Sequence, residues 1–389
     1  MSSQVVEPAR PTASRGRVVA GVVGSLVGLA AAGVAAGIAG RRALLRRRQE
    51  AEPDPYEDEA FGELPADEYR TVTTPEGIPL HVEIVGPAWA RTTVIFVHGF
   101  CLDMGTFHFQ RRALSQVDDN ALRAHHPRPA TRIPRSSPER NLQALRAVFY
   151  DQPGHGRSGR LSAGEYTMDH LASALRTVIE ECAAPDSRVV LVGHSMGGMA
   201  IMALAEQDPD LFAPDGRVAR VALISTSAGG VTFGLPDLVV RFRERLLPLV
   251  SNAGTATAPV VDRARAAAKD LARLLTRKYG FGSLGASASL VSYVEQMNRA
   301  MSTESVARYV CALYGHACEP SASGLKRVPV LVISGDEDHV IPVEHSRTLA
   351  RELPHAELVI IPGAGHMALL ECSDVVNDVL FPFIRRIGA

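Results

Sequence analysis

The sequence predicts an α/β fold: a mostly parallel, doubly wound sheet flanked by helices, with a helical cap inserted between two core strands. Three observations predict it. Short continuous apolar runs such as Thr93–His98 and Arg188–Val192 have the composition of strands buried on both faces of a sheet. From Tyr69 onward these runs alternate with amphipathic helical segments. Between Ser227 and about Arg327 the alternation stops and only helical segments follow one another, as in a domain inserted into a continuing core.

The elements follow in order. Tyr69–Thr74 and Leu80–Val85 read as two strands joined by the turn Pro75-Glu76-Gly77. Thr93–His98 is the first fully apolar strand, and a helix is expected from Met104 to about Val117. Asp118 to Arg140 is polar, with four Pro, five Arg and two adjacent His, and reads as a surface insertion. Ala147–Tyr150 is a strand, Thr167–Cys182 an amphipathic helix, and Arg188–Val192 a strand running into the helix Gly198–Ala205. Val218–Ser225, Val328–Ser334 and Leu358–Ile361 are the remaining strands, the last followed by a helix to about Ile384. Within the cap, Leu238–Val250, Val261–Tyr279, Leu290–Met301 and Ser305–Cys318 read as helices. The division is thus a polar tail (1–17), a hydrophobic segment (18–40), a charged linker (41–68), the core (69–227 and 328–389) and the cap (228–327).

The 389 residues are 46% hydrophobic and 21% charged, an ordinary globular balance with material for a large core. A net charge of −1 does not point to nucleic acid as a partner. The five cysteines are odd in number and scattered, which argues against a disulfide framework and for a reducing compartment. Cys311, His316 and Cys318 have no second cluster beside them and are read as helix-packing positions, not metal ligands.

Val18–Ala39 is 22 residues without a charge, long enough to cross a hydrocarbon core. Three arginines precede it (Arg10, Arg15, Arg17) and five follow (Arg41, Arg42, Arg46, Arg47, Arg48). The heavier positive side is expected to remain cytoplasmic, so a single-pass anchor with a cytoplasmic catalytic part is expected. A cleaved secretory signal and a soluble or disordered Gly/Ala tail are the alternatives. Gly24/Gly28 and Gly33/Gly37 are G-x-x-x-G pairs that would let two such helices approach closely.

The chemistry is carried by Gly193-His194-Ser195-Met196-Gly197, between a strand and a helix. A serine between glycines at such a junction is the geometry of a nucleophile elbow. The tight turn would lift the hydroxyl clear of the sheet and set it at a helix N-terminus, where free N–H groups favour developing negative charge. A serine hydroxyl is a poor nucleophile at neutral pH and needs a base, which in turn needs an acid to fix its tautomer. Gly363-Ala364-Gly365-His366 offers the base, and Gly335-Asp336-Glu337-Asp338 offers two acids. Asp336 stands where a turn-forming aspartate is common. These residues require neither cofactor nor metal.

The order Ser195, Asp338, His366, together with His98-Gly99-Phe100-Cys101 after the first apolar strand, resembles the α/β-hydrolase superfamily over Tyr69 to Ile387. The resemblance implies Asp338 as the acid and the backbone N–H groups of Phe100 and Met196 as the oxyanion hole. Asp151-x-Pro153-Gly154-His155-Gly156-x-Ser158 looks like a loop of the cap-bearing, epoxide-hydrolase-like branch, with His155 as a brace. Epoxide hydrolases and haloalkane dehalogenases carry aspartate at the elbow, so Ser195 argues against both activities, and Tyr279, Tyr293, Tyr309 and Tyr314 need no role in epoxide activation. The expected activity is hydrolysis of a carboxylic ester with a small or medium hydrophobic acyl group. Thioester, carbon–carbon or peroxidase-type chemistry on the same residues is the alternative, and a non-enzymatic membrane-tethered binding protein is a third reading.

Overall fold

The computed structural model describes residues 54–114, 145–164, 166–229, 279–284, 286–302 and 324–387, with scattered positions between 305 and 316. The chain divides into two units, Met1–Pro55 and Tyr56–Ala389, and the fold belongs to the second. Val18–Ala39, the insertion 118–140, the expected helix Leu238–Val250 and all but the last residue of Val261–Tyr279 lie outside the described residues. Among the described residues no helix is long and apolar enough to cross a membrane.

Eight strands form one sheet: β1 (Glu68–Thr73), β2 (Pro79–Val85), β3 (Thr92–Val97), β4 (Leu145–Tyr150), β5 (Arg188–His194), β6 (Val218–Ile224), β7 (Val330–Gly335) and β8 (Ala356–Ile361), in the order β1-β2-β4-β3-β5-β6-β7-β8. The β1–β2 and β2–β4 pairs are antiparallel, and every pair from β4 to β8 is parallel. Each strand falls within two residues of its expected bounds, because an unbroken apolar run has nowhere to go but between two layers. Along β5 the side chains divide strictly. Val189 and Leu191 join the core beneath α1 (Met168–Cys182) and α2 (Met196–Gln207), and Val190 and Val192 join the core on the opposite face. Full burial of each such side chain contributes about 1.5–3 kcal/mol.

Four details differ from expectation. The helix expected from Met104 begins as a 3-10 turn, Met104–Phe107, capped by the Asp103 carboxylate on the Gly105 N–H, before continuing through 108–114. After α3 (Ala288–Ala300) in the cap, a helix that was not expected, α4 (Val343–Glu352), turns only Val343, Ser346 and Leu349 inward, too thin an apolar stripe to read in VEHSRTLARE. The C-terminal helix is two, α5 (Ala368–Glu371) and α6 (Ser373–Arg385), because Cys372 leaves helical geometry at φ −128°. The charged linker expected to run to residue 68 is docked from Tyr56. The Phe61 ring stacks on Tyr293 of α3 at 4.5 Å, Tyr56 lies 5.2 Å from Phe109, and Glu59 accepts from His108 and pairs with Arg112.

The loops leaving β3 and β4 are braced by two buried histidines. His98 donates from Nδ1 to the Gly99 carbonyl at 2.8 Å and accepts the Gln152 N–H at Nε2 at 2.9 Å. His155 donates from Nδ1 to the Pro153 carbonyl at 3.0 Å and accepts the Cys101 N–H at 3.3 Å. Each ring therefore donates at one nitrogen and accepts at the other, which only the neutral form can do. Burial pushes His98 down to about 4 and His155 to about 3. The Asp151 carboxylate completes the brace by accepting the Met104 and Arg157 N–H groups.

An acid-sensitivity follows from these shifts. Unfolded histidine titrates near 6.5, above both folded values, so between them the unfolded chain binds more protons and stability falls as pH falls. Each histidine should remove about 1.4 kcal/mol per pH unit between pH 6 and its folded value. Urea midpoints at pH 7 and pH 5 should differ accordingly, and His155→Gln should narrow the difference. An undiminished difference in that variant would exclude His155 as a source.

Candidate active site

Ser195 follows β5 at the centre of the sheet and serves as the N-cap residue of α2. Its backbone is in the strained region, φ +53° and ψ −120°, a conformation that typically costs about 1–3 kcal/mol. The end of β6 holds it there. The Ser195 N–H donates to the Ile224 carbonyl at 3.0 Å, and its carbonyl accepts the Thr226 hydroxyl at 2.7 Å. The flanking glycines do not carry the strain, since neither Gly193 nor Gly197 has positive φ. They supply space: a Cβ on Gly197 would collide with the Val97 carbonyl at the end of β3. Helix α2 can thus start directly against the sheet edge, with Met196 as its first residue and that N–H lacking a partner within the helix.

The structure brings Asp338 and His366 together and separates Asp336 from them. Asp338 lies in the loop after β7, with its side chain buried. Its Oδ1 accepts the Val340 and Ile341 N–H groups at 2.9 and 2.8 Å, which leaves Oδ2 to accept from His366 Nδ1 at 2.8 Å. A proton held on Nδ1 makes Nε2 the basic nitrogen. Asp336 is exposed and accepts the Gly363 N–H at 2.6 Å, tying the β7 loop to the loop that carries His366. The two acids that the sequence leaves in competition therefore have different tasks.

His194, immediately before Ser195, is a part of the site's framework that sequence reasoning passed over. It is fully buried, and its Nε2–H donates to the His366 carbonyl at 3.0 Å, with the two rings 4.9 Å apart. Burial and the neighbouring His366 push it down to about 3, so it stays neutral at physiological pH. The strand that leads into Ser195 is in this way bonded directly to the loop of His366. The signal was present as a single polar residue inside an apolar strand end.

Phe100 stands on the other side of Ser195. A Cβ on the preceding Gly99 would lie 3.1 Å from that of Ser195, and the following Cys101 N–H is already committed to His155. The Phe100 ring leans on Tyr309, at 5.8 Å between centroids. Tyr309 is buried, stacked on Tyr166, and donates its hydroxyl to the Pro153 carbonyl at 2.6 Å; Tyr293 donates to the Gly105 carbonyl at 3.0 Å. Both tyrosines are structural here; Tyr279 faces the His339 ring, and Tyr314 lies outside the described residues. The apolar face of α3, through Leu290, Val294 and Met297, packs with Leu102 and with Met367, the residue after His366.

Comparison with known proteins bears on the fold and the family. The chain is 29% identical over 248 residues to a non-heme haloperoxidase of Rhodococcus erythropolis, covering 62% of this chain and 83% of that one. It is 27% identical over 259 residues to a bifunctional esterase/perhydrolase of Acinetobacter calcoaceticus, with the same coverages. Among solved structures, a thermophilic esterase from Thermogutta terrifontis superposes with a TM-score of 0.57 at 22% identity, over 83% of this chain and all of that one. An enol-lactonase from Burkholderia xenovorans gives 0.55 at 22% identity over 82% and 99%; at such identities these two likenesses speak for the fold. The family model described as alpha/beta hydrolase fold matches residues 92–372, most of the chain and all three of Ser195, Asp338 and His366, and the protein belongs to that family.

Proposed function

We propose that the protein hydrolyses a carboxylic ester through Ser195, His366 and Asp338. The observation that carries the reading is the 2.8 Å bond between His366 Nδ1 and the buried Asp338 Oδ2, in a loop bonded through His194 to the strained turn of Ser195. Ser195 Oγ attacks the acyl carbon while His366 Nε2 takes its proton, and Asp338 holds the tautomer and steadies the imidazolium. The N–H groups of Phe100 and Met196 receive the developing oxyanion. The imidazolium then protonates the departing alkoxide. Water, deprotonated by His366, cleaves the acyl-enzyme and returns Ser195 with release of the acid. The apolar cap helix α3 supports a small or medium hydrophobic acyl group.

Perhydrolysis is a second reading, favoured by the haloperoxidase and esterase/perhydrolase relatives. Hydrogen peroxide would replace water in attacking the same acyl-enzyme, and the product would be a peracid.

Val18–Ala39 is proposed as a membrane anchor that keeps the catalytic unit on the cytoplasmic side. Its 22 uncharged residues and the heavier arginine cluster after it support this. The Gly24/Gly28 and Gly33/Gly37 pairs would then favour self-association within the bilayer.

Two sets of outcomes are expected. A fluorophosphonate should label Ser195, and Ser195→Ala should abolish both labelling and turnover of short chromogenic esters. Asp338→Asn should lower kcat about 10³–10⁴-fold, whereas Asp336→Asn should keep most activity. Unchanged turnover in Ser195→Ala would overturn the reading, and peracid formed from ester plus peroxide would decide for the second. In fractionated cells the full chain should resist alkaline extraction from membranes and a chain lacking residues 1–53 should be released; a mature chain found outside the cell without residues 18–39 would overturn the anchor.

A further inference from the structure

The cap enters the site through a short segment, Gly280 to Leu284, pressed against both loops that follow β7 and β8. Five hydrogen-bonding positions fix it. The Met367 N–H donates to the Gly280 carbonyl at 2.8 Å, and the Leu284 N–H donates to the Gly363 carbonyl at 3.3 Å. The Ser283 N–H and hydroxyl both donate to the Glu337 carboxylate at 2.7 Å. The Gly282 N–H donates to the Glu371 carboxylate at 2.9 Å. The same Glu371 carboxylate accepts the Gly365 N–H at 2.8 Å. Glu337 precedes Asp338, and Gly365 precedes His366. A segment of five residues is thereby bonded to the chain neighbours of both members of the acid–base pair.

The fit is steric as well as polar. A Cβ on Gly282 would collide with the Gly363 carbonyl, and one on Gly365 would collide with the Gly282 amide. The two backbones are in direct contact, with no side chain between them to absorb a movement. Glu371 is half-buried and anchored at the end of α5. It is the side chain that touches the cap segment and the His366 loop at once. On the core side the same loop is held by His194 at the His366 carbonyl.

We infer that Gly280–Leu284 is a positioning strap for His366 and Asp338, with Glu371 as the positioning residue that joins it to the histidine loop. The inference rests on the reading of His366 and Asp338 as base and acid. How the cap seats therefore sets where the imidazole stands, and a substrate that displaces the cap segment displaces the base. An error of this kind misplaces a catalytic group without removing it, and it falls on kcat more than on KM.

The test compares Glu371→Gln and Gly282→Ala with the parent chain, by ester kinetics and by the proton spectrum of the His366 Nδ1–H, which resonates far downfield when bonded to Asp338. Glu371→Gln keeps the shape but can offer only one oxygen to the two N–H donors. It should lower kcat about tenfold or more, with KM within about twofold, and should shift or broaden the downfield resonance. Gly282→Ala, on the opposite side of the contact, should do the same. If Glu371→Gln does not fold, Gly282→Ala and the milder Ser283→Ala carry the test. The spectrum needs no turnover, so it separates the two ideas. A parent chain whose esterase activity survives Ser195→Ala sinks the triad reading. A folded variant with an unaltered resonance and unaltered kcat sinks the strap, as does a change confined to KM.

Discussion

Helix α2 must begin one residue after β5 ends, and much of the site follows from that constraint. With α2 driven against the end of β3, position 197 has no room for a Cβ beside the Val97 carbonyl. The chain has to turn within a single residue, and the turn falls on Ser195, at φ +53°. The turn persists because the Ile224 carbonyl of β6 accepts the Ser195 N–H and the Thr226 hydroxyl donates to the Ser195 carbonyl. The same geometry leaves the Met196 N–H at the mouth of the helix and brings Gly99 within contact of the serine. A strained residue and a place to put negative charge are two results of one packing decision.

Around this turn the imidazoles are sorted by their partners. His98, His155 and His194 each donate to a carbonyl, have no carboxylate bonded to the ring, and are pushed far below neutral pH. His366 alone of the four donates to a buried carboxylate. Of the other three, His194 stands directly against it, with the rings 4.9 Å apart. Had His194 been able to charge at neutral pH, it would oppose the imidazolium beside it, since like charges at such separations disfavour each other.

Much of this was legible in the sequence. All eight strands were, because the central ones are apolar without interruption and the flanking turns carry Pro and Gly. Ser195, Asp338 and His366 stood at strand ends, and the exposed Asp336 could be set against Asp338 on turn chemistry. What was not legible depends on contacts between distant segments. Helix α4 buries too few side chains to show a period. The segment around Phe61 reads as linker because its charges and prolines outweigh two aromatic residues, and only the stack on Tyr293 reveals that it is docked. Glu371 reads as an ordinary helix-end acid, and its partners are 6 and 89 residues away.

These distant contacts converge on α3. One part of the helix receives the Phe61 ring, which leads back toward the N-terminal segment, and its apolar face meets Met367 and Leu370 beyond the histidine loop. The chain just before α3 is the Gly280–Leu284 segment. Tyr56–Gly62 thus packs on α3 ahead of the sheet, since β1 begins only at Glu68. The sheet is the stiff part of the molecule, with its central strands buried on both faces, and it fixes Ser195. His366 and Asp338 lie in loops whose outer side is cap. Ser195 is thus placed by the core, while His366 and Asp338 sit in loops bonded both to the core, through His194, and to the Gly280–Leu284 segment, through Glu371 and Glu337.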